Sequence, residues 1–455
     1  MRAAVVVGAA TTAFHLATAG IWGFHRDEFY YLACGRRLAW GYVDHPPITP
    51  ALYRAQETLF GASQLGLRVA PALIHGAIVV VTAMLAKEFG AGPHGQLLAA
   101  LCAAVCPMFL TTGHFLGTVT FEVLSWAVAS LLVAKLVHGA DPRLWLAVGL
   151  TLGIGLLNKW TVTYLIVALG AGLLLTSARD VVFTPWVLAG AAIALLLWAP
   201  NLAWQAGHGW PALGFAAQIR DYGETVLTVP YQLVFTGAAA LLVIPGLFRT
   251  PERWLTVTFV VLVVVVMATG GKPYYAGPLL PALIGAGAVF AEPWRPGPTF
   301  AAIGVLTVAA APFSMPLTPE STVDRLASLN PELGEMLGWD RIVAQVEDVA
   351  SEHPGATVLT ANYSQAGAIE LWAPDLQPLS GHLTYWYWAE LPPGRSDTTI
   401  VYGYRDPAYL ERFWSDVERI GTVGPVPGQD DGGGIYLARE QRMDWADIWP
   451  ELRRF

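Results

Sequence analysis

Charge is what this chain is short of. Only 13% of its 455 residues are Asp, Glu, Lys or Arg, against about 25% in soluble globular proteins. Such a shortage excludes an ordinary water-soluble surface. Basic excess is also missing: the net charge is −8, which removes nucleic acid from the expected partners. Cysteine is nearly absent, with Cys34, Cys102 and Cys106 alone. Three such residues give no disulfide framework and no CxxC site. Cys102 and Cys106 lie one helical turn apart on an apolar segment and read as small packing residues. What fills the chain instead is apolar: 55% hydrophobic residues and a mean hydropathy of +0.48. The 18 Trp and 16 Tyr suit a chain that meets membrane interfaces repeatedly.

Apolar runs that approach the ~20 residues needed to span a bilayer fall at 3–23, 69–86, 97–112, 119–137, 144–158, 161–177, 185–200, 231–248, 254–270, 276–291 and 299–314. Ala17-Thr18-Ala19 resembles a signal-peptide cleavage site, but the positive n-region is only Arg2 and the apolar run is long, so a retained helix is expected. Eleven spans put the two ends of the chain on opposite sides. With the N-terminus cytoplasmic, the inner and outer connections carry equal numbers of Lys and Arg, and the shorter inner loops carry them at higher density. The loop 25–68, the loop 201–230 and the tail then lie outside.

Charge also divides the chain. Before Met315 there are 12 acidic and 16 basic residues, and the last 141 residues hold 22 acidic and 10 basic ones. That asymmetry predicts two regions, a membrane domain over 1–314 and a soluble extracytoplasmic domain over 315–455. In the tail, Trp339, Ile342, Val343, Val346 and Val349 share a helical face within Pro331–Ser351. Strand-like runs follow at Thr357–Ala361, Thr398–Tyr404 and Gly434–Ala438, the last after the turn-rich Asp430-Asp431-Gly432-Gly433. A small α/β domain is expected, and it carries no phosphate-loop, zinc or nucleophile-elbow motif.

The chemistry-bearing residues gather at span ends. The stretch His25–Pro50, HRDEFYYLACGRRLAWGYVDHPPITP, follows the first apolar run. The loop 25–68 that it opens is too long for a simple hairpin connection and reads as two interfacial helices joined at Pro46–Pro47, the second with Ile48, Leu52, Ala55 and Leu59 at helical spacing. Asp27 and Glu28 are adjacent, so on a helix they point about 100° apart. One can act while the other orients or pairs, and the plainer reading is an interfacial ion-pair cluster. Glu122 stands three residues into the fourth span near His114, either a site acid or a helix N-terminal acid favoured by the dipole. Asn158–Lys159 and Gly271-Lys272-Pro273-Tyr274-Tyr275 close the fifth and ninth spans. Two lysines on one face can hold a lipid phosphate, whereas a single lysine more simply snorkels to headgroups. Asn201, Trp204, Gln205, His208 and Trp210 form a further polar-aromatic cluster, and His45 before two prolines reads first as a turn residue. Acids, lysines and aromatics on one membrane face suit group transfer from a lipid-linked donor.

The block from His25-Arg26-Asp27-Glu28-Phe29-Tyr30-Tyr31 to Asp44-His45-Pro46-Pro47 resembles the first outer loop of bacterial family 39 glycosyltransferases. These are membrane enzymes related to dolichyl-phosphate-mannose protein mannosyltransferases and to lipid A aminoarabinose transferases. Gly113-His114 with Thr118–Phe121, Gly155-Leu156-Leu157-Asn158-Lys159, Ala199-Pro200-Asn201-Leu202, His208-Gly209-Trp210-Pro211 and Gly271-Lys272-Pro273-Tyr274-Tyr275 match in consistent order, so the resemblance covers about residues 1–300. The tail is only loosely similar.

The resemblance implies an α-helical polytopic membrane protein of GT-C fold in the cytoplasmic membrane. It also implies inverting transfer of a sugar from a polyprenyl-phosphate donor to an extracytoplasmic acceptor. Asp27 matches the first acid of the family's Asp-Glu motif, the general base or acceptor-positioning group, and Glu28 the second. Glu122 stands where relatives carry Asp, a departure that alters the reach of any acid there. Lys159, Lys272 and Tyr274 match positions near the donor phosphate, and His45, His114, Asn201 and His208 fall to substrate binding. Some GT-C enzymes hold a divalent metal between such acids, here Asp27 and Glu122, though no ligand spacing requires one. A transporter or flippase would instead place charges near the bilayer midplane and show internal repeats. A catalytically dead relative would have no need of both acids of the Asp-Glu motif.

Overall fold

The computed structural model describes residues 1–220, 224–327, 330–424 and 432–455. Asp430 and Asp431 of the expected turn lie outside the described residues. The chain forms two compact units that are not consecutive in sequence: Met1–Gly20, Ala39–Gly41 and His45–Met315 make the first, and Ile21–Leu38, Tyr42–Asp44 and Pro316–Phe455 the second. The boundary expected at Met315 puts all of 25–68 with the membrane domain. The structure assigns the helix of the Asp-Glu motif to the second unit.

Every apolar run of the first unit lies on helix. Gln64–Glu88, Thr118–Val137, Pro185–Gly207, Thr228–Phe248, Pro273–Ala291 and Pro296–Ser314 are long and apolar enough to cross a membrane. Pro93–Ala104 and Pro107–His114 make a seventh if their 56° bend lies within one span. Leu144–Leu156, Val162–Leu174 and Arg253–Thr269 are shorter apolar helices, and Arg2–Thr18 occupies the first run. Outward faces confirm the solvent that this unit is built for: Leu188 is 74% exposed and Val308 75%, which in water would be an aggregating surface. Two crossings show how the helices approach without a hydrophobic drive between them. A Cβ on Gly149 would lie 2.0 Å from the Gly190 carbonyl oxygen, and one on Gly8 would lie 2.7 Å from that of Gly76.

Ile48–Phe60 inverts the pattern expected of a helix on a water-soluble core. Thr49, Pro50, Tyr53 and Gln56 are its buried residues, while Leu59 is 71% exposed. The polar face is satisfied inside the protein: Thr49 Oγ1 donates to Asn158 Oδ1 at 2.8 Å, Tyr53 Oη donates to the Leu116 carbonyl at 2.9 Å, and Gln56 Oε1 accepts the Ala70 amide. An apolar outer stripe over a hydrogen-bonded inner one is what an interfacial helix requires.

The second unit is built on a five-stranded sheet. Strands β1 (Thr357–Thr360), β2 (Leu379–Ser380), β3 (Thr398–Tyr404), β4 (Trp414–Thr422) and β5 (Gly434–Gln441) lie in the order β2-β1-β3-β5-β4. β1 runs parallel to β2 and β3, and β5 antiparallel to β3 and β4. One core cluster includes Leu359, Val401, Trp414, Tyr436, Trp445 and Ile448. The expected Pro331–Ser351 helix resolves into a 3-10 turn at Pro331–Met336 and a helix at Trp339–Glu352 that buries Trp339, Ile342, Val343 and Val346. The helix Tyr363–Trp372 follows β1 directly, its N-terminus capped by Asn362 Oδ1, which accepts the Ser364 and Gln365 amides.

Candidate functional site

Chemistry-bearing side chains collect in two places, one in each unit. In the second, the helix Arg26–Arg36 starts at a capping box. The His25 amide donates to Glu28 Oε2 at 2.7 Å, and the Asp27 amide donates to His25 Nδ1 at 3.2 Å. This separates the two adjacent acids. Glu28 is fully buried and closes the helix start, whereas Asp27 is partly exposed and its carboxylate accepts a 2.7 Å bond from the Tyr363 hydroxyl.

Three residues on, Tyr30 does the same for a second acid. Its hydroxyl donates to Asp44 Oδ1 at 2.7 Å. Having given its one proton, it accepts from Thr384 Oγ1, 2.7 Å away, which in turn accepts the Val43 amide. The Tyr30 and Tyr363 rings lie 4.7 Å apart. Thus Asp27 and Asp44, both partly exposed, are each gripped by a tyrosine. The sequence assigns a role to His45 and none to Asp44; the Asp-His-Pro-Pro motif itself is the signal for it. Burial above all, with the Asp27 carboxylate adding, pushes the Tyr363 phenol's pKa well up, so it remains a donor. Burial likewise raises the pKa of Tyr30, and Asp44 reinforces it.

Arg26 lies over the Tyr363 ring at 5.0 Å, donates to Ser364 Oγ and pairs with Glu335 at 3.2 Å. Beside it His25 Nε2 stands 3.2 Å from Glu332 and 3.4 Å from Glu335. His25, Glu332 and Glu335 are the one group among the described residues whose ligand atoms come close enough for a metal ion. The chemistry favours an ion-pair cluster instead. Arg26 already neutralises Glu335, and a His25 ring that accepts the Asp27 amide at Nδ1 carries its proton on Nε2, where a metal would bind. Burial opposes charging this ring, but Glu332 and Glu335 outweigh it and push its pKa up to about 10. An imidazolium cannot accept at Nδ1, so charging His25 costs the cap bond.

In the first unit, Glu122 is fully buried on Thr118–Val137. Its Oε2 lies 3.1 Å from Lys159 Nζ, and its Oε1 accepts from Thr161 Oγ1. Lys159 Nζ also lies 4.9 Å from the ring centres of both Tyr274 and Tyr275. Asn158 ties this corner down: Nδ2 donates to the Thr118 carbonyl and Oδ1 accepts from Thr49. Lys272 is exposed and acts on Lys159 as a like charge. The cluster borders a cleft of about 420 Å³ lined by Tyr164, Arg220, Thr269, Gly270, Gly271 and Tyr275.

The remaining expected residues scatter within the first unit. His45 is buried with Nδ1 2.9 Å from the Pro46 carbonyl, the turn placement. His114 is buried with Nε2 3.0 Å from Arg68 Nη1, which also donates to the Ala19 carbonyl. Asn201 is buried and donates to the Trp40 carbonyl at 2.8 Å. His208 stacks on Trp204 at 3.9 Å.

Comparison with known proteins agrees with this architecture. Residues 44–204 match the family model described as dolichyl-phosphate-mannose-protein mannosyltransferase. The chain is 26% identical over 270 residues to the lipid A galacturonosyltransferase RgtD of Rhizobium johnstonii, over 55% of this chain and 56% of that protein. It thus spans about half the length of this curated relative. Two crystal structures of ArnT from Cupriavidus metallidurans, one bound to undecaprenyl phosphate and one in the apo state, each match with a TM-score of 0.60 at 14% identity. Both matches cover 96% of this chain and 97% of ArnT.

Proposed function

We propose that this chain, a GT-C-fold relative of family 39 glycosyltransferases and of ArnT, is a membrane glycosyltransferase that takes a sugar from a polyprenyl-phosphate carrier. All eleven apolar helices or helix pairs of 1–314 cross the membrane, the N-terminus is cytoplasmic, and the α/β region after Met315 lies outside. Charge asymmetry and the lipid-facing exteriors support this arrangement. The acceptor is an extracytoplasmic hydroxyl of an envelope glycan, lipid or protein.

In this reading the acceptor oxygen attacks the anomeric carbon and inverts it, the bond to the carrier phosphate breaks, and polyprenyl phosphate departs. Asp27 takes the acceptor proton or orients the hydroxyl. The observation that carries the assignment is the division between the two acids: Glu28 is consumed by the capping box, while Asp27 is partly exposed and held by a tyrosine. Lys159, Lys272 and Tyr274, with Arg220 across the cleft, stabilise the negative charge that builds on the leaving phosphate. Glu122 sets the position and charge of Lys159. His45, His114, Asn201 and His208 shape the substrate surroundings. A divalent ion bound by Asp27 or Glu122 would supply further positive charge; the lysines offer that charge without one.

The test is Asp27→Asn, assayed in detergent with undecaprenyl-phosphate-linked hexose, hexuronic acid and pentose donors against lipid A and water as acceptors. Loss of transfer with intact folding is expected. Turnover at the wild-type rate removes Asp27 from the reaction.

A further inference from the structure

We propose that Tyr363, which the C-terminal region supplies, is a positioning residue for the transfer reaction: its hydroxyl holds Asp27 and fixes which carboxylate oxygen is presented to the acceptor. The inference rests on the reading of Asp27 above and deepens it.

The contact itself is short. The phenol donates to Asp27 Oδ1 at 2.7 Å, and an O–H bond to an ionised carboxylate is among the stronger ones. It spans 336 residues of sequence, so only the folded second unit can make it. The donor is also rigidly placed. Tyr363 is the first residue of its helix, after the Asn362 cap at the carboxyl end of β1, the edge of an α/β sheet where functional groups are usually carried. Its ring is packed against Tyr30 at 4.7 Å and His382 at 5.1 Å, with Arg26 over it at 5.0 Å. Asn362 therefore fixes the backbone, and Tyr30, His382 and Arg26 pack the ring.

Such support matters for a carboxylate that works as a base. One bond to Oδ1 stops rotation about the Cβ–Cγ axis, so that Oδ2 keeps a single orientation; positional freedom of this kind is costly in a reaction that needs near-attack geometry. Around it, Arg26 is paired with Glu335, and His25 with Glu332 and Glu335. Tyr30 is occupied with Asp44. Within the second unit, Tyr363 is the side-chain donor found on the Asp27 carboxylate.

Tyr363→Phe removes the hydroxyl and keeps the ring contacts. With the same undecaprenyl-phosphate donors and with lipid A or water as acceptor, kcat should fall about 10- to 100-fold, as for loss of a supporting hydrogen bond behind a reacting group, with the donor KM unchanged. A purely structural role would lower the amount of folded enzyme and leave kcat per folded molecule unchanged. Should Tyr363→Phe fail to fold, fluorotyrosine at position 363 keeps shape and bond while making the phenol a stronger donor. Its kcat then departs from the wild-type value with the donor KM unchanged, and an unmoved kcat overturns the proposal. So does a Tyr363→Phe enzyme with wild-type kcat while Asp27→Asn is inactive. If Asp27→Asn is itself fully active, or the wild type transfers nothing from any of these donors, the functional reading falls first and takes the role of Tyr363 with it.

Discussion

Lys159 Nζ lies 3.1 Å from Glu122 Oε2, and the carboxylate is fully buried. A pair with one partner at that depth is worth little against well-packed apolar residues, but breaking it leaves an uncompensated charge. Glu122→Gln and Lys159→Met should therefore each destabilise by about 3–5 kcal/mol, and the double variant by clearly less than their sum. Thermal unfolding of the four proteins in one detergent gives the coupling. Additive losses would mean that the two side chains do not depend on each other.

Lys159 already has a carboxylate partner, whereas Lys272 is exposed. The exposed ammonium should contribute more of the attraction for an incoming phosphate. Lys272→Ala is expected to raise the donor KM about tenfold, the loss of one charge-assisted contact, and to do so less at high salt. Steady-state kinetics at two ionic strengths checks both. A Lys272→Ala enzyme with unchanged KM places the phosphate elsewhere.

His25 gives a stability that depends on pH. Its folded pKa, about 10, lies above the ordinary 6.5, so the contribution of the charged ring is complete below pH 6.5 and disappears as pH rises through 10. His25→Leu removes the cation and the cap alike, so the ion pair shows as the part of the stability difference that changes with pH. The wild type should gain on the order of 1 kcal/mol over it between pH 10 and pH 6, a modest value because Glu332 is half exposed. Melts across the range check this, and a difference that grows in favour of the wild type with rising pH would reverse the assignment.

Gly367 sits where the helices Arg26–Arg36 and Tyr363–Trp372 touch. A Cβ there would be 2.8 Å from Phe29 Cβ and 3.1 Å from Phe29 backbone carbon. Backbone cannot step aside as a flexible side chain can. Gly367→Ala should cost about 1–3 kcal/mol through overpacking and should slow transfer more than it changes donor affinity, because it wedges Tyr363 away from Asp27. Parallel melting and kinetic measurements decide it; unaltered kcat would show that the Asp27–Tyr363 bond tolerates the wedge.

The helices of 1–314 were legible because a membrane asks for one thing, a long apolar run, and each of the runs marked in the sequence carries a helix. Strand β3 was legible from end to end, since Thr398–Tyr404 is β-branched or aromatic at every position but Gly403. The runs at Thr357–Ala361 and Gly434–Ala438 likewise carry β1 and β5, whereas two other elements were not legible. β4 (Trp414–Thr422) is an edge strand with mostly polar or exposed positions, and Tyr363–Trp372 is buried on nearly every face from Ser364 to Ile369, so neither shows a period. In Ile48–Phe60 the helical spacing was right, but the apolar stripe faces outward. An amphipathic pattern gives two faces without saying which solvent each one meets.

Site residues were legible where a motif marked them. Asp27 and Glu28 stood out together, yet adjacency could not say which acid the capping box would take; that needed His25 at the N-cap. Lys159 and Glu122 were both noticed, but as partners of a phosphate and of Asp27 rather than of each other, because 37 positions of sequence separate them. Tyr363 had no signal at all. A tyrosine in a strand-to-helix turn is unremarkable until the chain returns to meet residue 27.

That return has a practical meaning. Ile21–Leu38 and Tyr42–Asp44 are compact with Pro316–Phe455, so the stretch that bears the Asp-Glu motif is framed by residues from the far end of the chain. A fragment cut at Met315 would keep Asp27 and lose Tyr363, Glu335 and Thr384. Chimaeras that graft the tail of one relative onto the helices of another would likewise inherit a mismatched seam. The tail is therefore a poor cassette for exchange, and swaps should carry Ile21–Asp44 along with it.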